Sequence, residues 1–176
     1  GSKFTGNATY KGGVIAQIGA YERKADGWSE GEKDDITYDR KEMIKDDGSV
    51  TVNVKMNGTT GKPMMDGVIN SKAIGQIKLG TQEVLDQSAH IGYPDPVIIR
   101  KNNHEAIGVA AKTTGQYAAT FGGKNYSEVV GIVGLEKFVS HGTIDKNDHT
   151  EGLGEIKEGG KTYVIEKYQA TFGAKK

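Results

Sequence analysis

The chain has 176 residues, no cysteine, and 23 Lys+Arg against 23 Asp+Glu, for a net charge of +0. That length is enough for one domain with its own core, and the absence of cysteine excludes thiol catalysis, thiolate metal sites and disulfides. The charge balance excludes a chain-wide basic field for nucleic acid, and no apolar run approaches the roughly 18 residues of a membrane-spanning helix.

Apolar residues make up 35% and glycine fills 26 positions. This suits short strands joined by tight turns, and the apolar residues are patterned as a folded chain requires. No signal peptide is visible, and Gly1-Ser2 reads as a cloning remnant left after removal of whatever lay upstream.

The residues from 4 to 18 read as a first strand, with a bend or bulge at Lys11-Gly12-Gly13. The segment 20–47, rich in Asp, Glu and Lys, reads as a long polar loop with a short hairpin or turn near 36–43. Ser49 to Met56 alternates, with Val50, Val52, Val54 and Met56 on one face, as a half-buried antiparallel strand does. Asn57-Gly58 is the dipeptide preferred in type I′ hairpins, and the return strand is expected over 63–70.

Residues 71–92 are ambiguous. Ile74, Ile77 and Leu79 suit a strand, whereas 81–89 could make one or two helical turns. Val97-Ile98-Ile99 predicts a short strand after Pro94 and Pro96. Residues 105–112 and 115–121 predict a hairpin turning at Thr113-Thr114-Gly115. A strand over 131–140 follows, then a second polar loop over 141–160 ending in Gly159-Gly160. The last strand is expected over 162–172.

No 3.6-residue apolar period is sustained. About eight short strands joined by turns predict a single domain, 1–176, that is an all-β, eight-stranded antiparallel barrel with two long polar loops. Closure removes exposed strand edges, and eight strands leave an interior that side chains fill. Such a barrel binds through its loops or outer wall.

Between two strands lies Phe121-Gly122-Gly123-Lys124-Asn125-Tyr126-Ser127-Glu128-Val129-Val130-Gly131. Gly122-Gly123 offers dihedrals that a side chain forbids, Asn125 can cap the following turn, and Glu128 suits exposed amides at its start. Val129 can then enter the barrel end, so the segment reads first as a structural plug.

This corner resembles that of the barrel domains of transferrin-binding protein B. The terminal Phe172-Gly173-Ala174-Lys175-Lys176 looks like their barrel ending. A Gly-Gly-Lys corner with a following Glu-Val and Gly is similar to that of factor H-binding protein. With the hemophilins, these belong to the Slam-exported surface lipoproteins and their relatives. The chain departs from the pattern at Gly122, Tyr126 and Val130, where an aromatic, Ala and Gly are common.

The resemblance implies a Gram-negative protein exported by a Slam-type translocon, either lipid-anchored at the outer membrane or secreted. It implies a non-catalytic role in capturing a host-derived ligand. Heme or iron acquisition comes first, with delivery to a TonB-dependent outer-membrane receptor. An immune-evasion adhesin that binds a host regulatory protein is the alternative. The chain would be the whole protein or one lobe of a larger one.

The candidate ligand-binding residues are few. His141 and His149 share one polar loop, and His90 precedes Ile91-Gly92-Tyr93, an apolar neighbourhood for a porphyrin. Histidine is the usual axial ligand of heme iron. Tyr21, Trp28 and Tyr38 lie in the first polar loop and could anchor a protein partner. Asp145, Asn147 and His149 alternate as calcium ligands do, but Thr150 and Ile156 stand where an EF-hand needs Gly and Glu. No nucleophile elbow, phosphate loop or paired carboxylates stand out, so no catalytic or metal residue is assigned and no enzyme is expected.

Overall fold

The computed structural model describes residues 4, 6–23, 40–85, 88–89, 98–101, 104–105, 114–136 and 152–176. The strands are β1 (Ala8–Arg23), β2 (Arg40–Met56), β3 (Pro63–Ser71), β4 (Gly75–Leu85), β5 (Ser88–Ala89), β6 (Ile98–Lys101), β7 (His104–Glu105), β8 (Thr114–Gly122), β9 (Glu128–Glu136), β10 (Gly154–Glu158) and β11 (Lys161–Lys175). One 3₁₀ turn, Lys124–Tyr126, sits between β8 and β9.

Eight strands follow one another around a ring in the order β1, β2, β3, β4, β5, β8, β9, β11, and β11 pairs back onto β1. Every pairing in the ring is antiparallel. The expected all-β antiparallel barrel is therefore present and nearly closed. The thin place is the seam between β4 and β8. There the two-residue β5 pairs Val84 and Leu85 on one side and Ala119 and Thr120 on the other. The Tyr117 hydroxyl of β8 spans the same seam and donates to the Gly80 carbonyl of β4.

Period-2 alternation supplies the core. Val50, Val52 and Val54 are buried from β2, as are Val14, Ala16 and Ile18 from β1. Tyr168, Ala170, Phe172 and Ala174 repeat the pattern on β11. Burial of these side chains is the main driving force, at roughly 25 cal/mol per Å² of apolar surface. Side chains thus fill the barrel, as expected for eight strands.

Several local expectations are corrected. The first polar stretch is not a loop over all of 20–47, because β1 runs on to Arg23 and β2 already begins at Arg40. Within 141–160, β10 pairs with β11 across Gly159-Gly160, so the end of that stretch is a hairpin. Thr81 to Leu85 continue β4 and form no helix. Thr114 and Gly115 are not a turn but pair with Glu136 and Leu135 of β9.

The β2–β3 connection is also not a two-residue type I′ turn. It spans 57–62, with Asn57 Oδ1 accepting from the amides of Thr59 at 2.8 Å and Thr60 at 3.1 Å. An Asx-type turn satisfies these amides locally, which a two-residue turn would not need.

The corner after β8 closes one end of the barrel. Tyr126, at a position where the resemblance leads one to expect Ala, is buried there against Phe4 at a ring distance of 4.9 Å. Phe4 meets Phe121 edge-on at 5.1 Å, and Phe121 meets Tyr10 at 5.4 Å. Each such ring pair adds about 0.5–1.5 kcal/mol to area burial. Val129 is buried, as expected for the plug.

The roles inside the corner differ from expectation. Gly123 has φ 78, and a Cβ there would lie 2.5 Å from Ser127 Oγ; Gly122 has no such constraint. Asn125 caps nothing. It adopts φ 56, and its carbonyl accepts from Lys176 Nζ at 2.8 Å. Asn tolerates this left-handed conformation better than most residues. Glu128 opens β9 and pairs with Lys175 at 3.6 Å, so it meets a cation and not the amides of the turn. The Lys176 amide donates to the Ser127 carbonyl at 3.0 Å, which pins the end of β11 onto the corner.

One buried acid organises the wall near β2. Asp47 is 1% exposed. Its Oδ2 accepts from Tyr168 Oη at 2.5 Å and from Ser71 Oγ, and its Oδ1 accepts from the Ala73 amide at 2.9 Å. Three donors offset its desolvation and tie the β3–β4 turn to β2 and β11.

Burial pushes the Tyr168 hydroxyl far above its ordinary range, reinforced by the hydrogen bond to Asp47 and by that charge. Burial also pushes Tyr10 up to about 12. Both groups are neutral in the fold at pH values where they would ionise in the unfolded chain. Their contribution is fully present below about pH 10 and is lost as pH rises toward 12 and beyond. Urea-unfolding free energy should therefore fall above pH 10, by up to about 1.4 kcal/mol per pH unit for each tyrosine. Tyr10→Phe should flatten part of that slope.

Candidate functional site

The two ends of the barrel are unlike. Aromatic rings plug the corner end. At the other end β1 stops at Arg23, β2 starts at Arg40, β9 stops at Glu136 and β8 starts at Thr114. The register places these positions together, through Tyr21 opposite Arg40, Arg23 opposite Thr162, Lys167 opposite Glu136 and Thr114 opposite Glu136. The β10–β11 hairpin folds against this end: Gly152, Leu153 and Gly154 are buried, Gly154 lies against Ala73 and Ile74 of the β3–β4 turn, and Glu158 meets Lys41 and Lys45 of β2.

Polar side chains face water there. Lys45 Nζ lies 3.4 Å and Lys41 Nζ 3.8 Å from Glu158 Oε2. Lys41 Nζ also stands 4.9 Å from the centre of the Tyr163 ring. Lys161 pairs with Glu22 at 3.9 Å. The Lys41–Glu158 and Lys45–Glu158 pairs are exposed and each worth about 0–1 kcal/mol, so they shape the surface more than they stabilise it.

Tyr21 is half-buried on β1 beside this end. Trp28 and Tyr38 lie outside the described residues, in the connection 24–39 between Arg23 and Arg40. His141 and His149 also lie outside them, in the connection that follows Glu136. Topology therefore starts the connections carrying four of the six candidate ligand-binding residues at one barrel end, with Tyr21 beside it. His90 lies outside the described residues too, directly after β5. Among the described residues, no group of three or more His, Asp or Glu side chains could hold a metal ion.

A second surface was not foreseen from the sequence. The outward residues of β1, β11, β9 and β8 form three uncharged rows across the wall. The first row is Gly13, Gly173, Val130 and Thr120. The middle row is Ile15, Thr171, Ile132 and Ala118. The third is Gln17, Gln169, Gly134 and Gln116. Ile15, Val130 and Ile132 are 57%, 60% and 56% exposed, and Ile44 of β2, opposite Gln17, is 78% exposed.

Charges return on β2, where exposed Asp46 stands opposite Ile15, and at the two ends of the rows. Lys11, Lys175 and Glu128 stand in line at one end of the rows, and Gly19, Lys167 and Glu136 at the other. The sequence did carry a signal for this wall. Val14-Ile15, Val129-Val130 and Ile132-Val133 are adjacent apolar pairs, and in an antiparallel strand only one member of each can face the core.

Compared with protein-family models and with curated proteins, the chain matches none.

Proposed function

We propose that the chain is a non-catalytic capture module of a Gram-negative bacterium, lipid-anchored at the outer membrane or secreted, that takes heme or iron from a host source. Cargo would pass to a TonB-dependent outer-membrane receptor. The residue-level resemblance of the corner and of Phe172 to Lys176 supports the class. The observation that carries the reading is topological: the connections holding Trp28, Tyr38, His141 and His149 start at one polar barrel end. The filled interior leaves binding to the outside of the barrel. Histidine from such a connection supplies the donor that heme iron takes.

Titration of the purified chain with hemin tests this. A saturable, sharp Soret shift near one equivalent is expected, and it should be lost or broadened in His141→Ala or His149→Ala. No shift at micromolar protein would remove heme from the account.

The adhesin reading is favoured by the half-buried Tyr21 at the foot of the connection that contains Trp28 and Tyr38. It predicts indifference to hemin, and capture of a host regulatory protein that Trp28→Ala weakens by tenfold or more, about 1.4 kcal/mol.

A further inference from the structure

The turn between β2 and β3 holds the one Asn-Gly pair in the chain, Asn57-Gly58. We propose that it is a self-modification site, at which the Asn57 side-chain amide is converted in place to a carboxylate with water as the only co-reactant. The inference rests on this turn alone and is independent of the ligand and of the polar barrel end.

The backbone of Asn57 is held on both sides. Its amide donates to the Lys62 carbonyl at 2.8 Å, and its carbonyl accepts from the Gly61 amide at 2.8 Å. Its side chain curls forward over the Gly58 peptide, because Oδ1 accepts from the Thr59 amide at 2.8 Å and from the Thr60 amide at 3.1 Å. That brings Cγ alongside the Gly58 nitrogen, so the two reacting atoms are held near each other before reaction. Gly58 is exposed, and its amide has no hydrogen-bond partner among the described residues. The nucleophile is therefore free and in water, and no side chain of its own screens it.

The chemistry follows from this placement. The Gly58 nitrogen gives its proton to solvent base and forms a bond to Asn57 Cγ, while the carbonyl electron pair moves onto Oδ1. The Thr59 and Thr60 amides already point at that oxygen and stabilise the charge that develops on it. The pair then returns as Nδ2 leaves, protonated, as ammonia, and a cyclic imide remains. Water adds to either imide carbonyl and breaks its C–N bond, giving aspartate or isoaspartate at position 57. Nothing is oxidised or reduced.

The product changes the surface. One negative charge is added to a chain whose formal net charge is +0. Aspartate accepts the same two amides through stronger, charge-assisted bonds. Isoaspartate instead lengthens the main chain by one CH2 beside the pairing of Met56 with Pro63. Asn53 and Asn70 lack the arrangement, since each lies inside a paired strand, and the Asn53 side chain is held by Asp66 at 3.1 Å.

Incubation of the full chain at mildly alkaline pH, followed by peptide mass spectrometry and isoelectric focusing, tests the proposal. Asn57 should convert in the folded chain at least as fast as in a synthetic peptide of residues 55–64, while Asn53 and Asn70 stay intact. Gly58→Ala should slow conversion about tenfold or more. Its circular dichroism should be unchanged, because a Cβ at Gly58 meets nothing within 4 Å. An Asn57 that stays intact in the folded chain while the peptide converts would overturn the proposal. So would conversion indifferent to Gly58→Ala. The comparison with the peptide needs no variant, so it decides the matter even if Gly58→Ala failed to fold.

Discussion

Gly12→Ala is expected to destabilise the barrel by about 3–5 kcal/mol, a large share of a typical domain's total. A Cβ at Gly12 would stand 1.8 Å from the Gly173 oxygen and 2.7 Å from the Ala174 Cα. Both obstacles are backbone, so no side-chain rotamer relieves them. The strands β1 and β11 would have to part where Lys11, Gly12 and Gly13 pair with Lys175, Ala174 and Gly173. Each ladder hydrogen bond lost costs about 0.5–1.5 kcal/mol, and packing of the neighbouring Tyr10 and Phe172 would loosen as well. Gly122→Ala is the control, since a Cβ there meets nothing within 4 Å. Its effect should stay within about 0.5 kcal/mol. Urea midpoints at constant m-value measure both. An unchanged midpoint for Gly12→Ala would contradict the close approach of the two strands.

Asp47→Ala should cost a similar amount, about 3–5 kcal/mol, for a different reason. The carboxylate is the shared acceptor for Tyr168 Oη, Ser71 Oγ and the Ala73 amide. Its removal leaves buried donors without a partner, and each costs about 1–3 kcal/mol. Tyr168→Phe removes one donor and leaves the acceptor with two, so about 1–2 kcal/mol is expected. The two losses should not add, because both belong to one network. A double mutant whose cost equals the sum of the singles would show that Asp47 and Tyr168 act independently.

The barrel was legible where one face is core and the other is water. Ser49 to Met56 shows this, with valine at every second position. Legibility failed where outward charges obscured the alternation. In β2, Met43 points inward while Glu42 and Asp46 point out and Lys41 and Lys45 crowd the barrel end, so the stretch read as polar loop. It failed again where both faces are apolar, as at Ile15 and Ile132, because periodicity alone cannot tell which face is core.

The Asp47 site left no local trace, since its partners Ser71 and Tyr168 are 24 and 121 residues away in sequence. At the corner the sequence indicated the plug but not its mechanism. Tyr126 fills the barrel end, and Gly123 and Asn125 take positive φ to bring it there.

If ligand is held at the polar end of the barrel, as proposed, hydrogen–deuterium exchange with hemin should show new protection in peptides covering 24–39 and 137–151 relative to the chain alone, with unchanged exchange in β2, β3 and the outer wall. Protection confined to the wall or to the core strands, or none at saturating hemin, would contradict it.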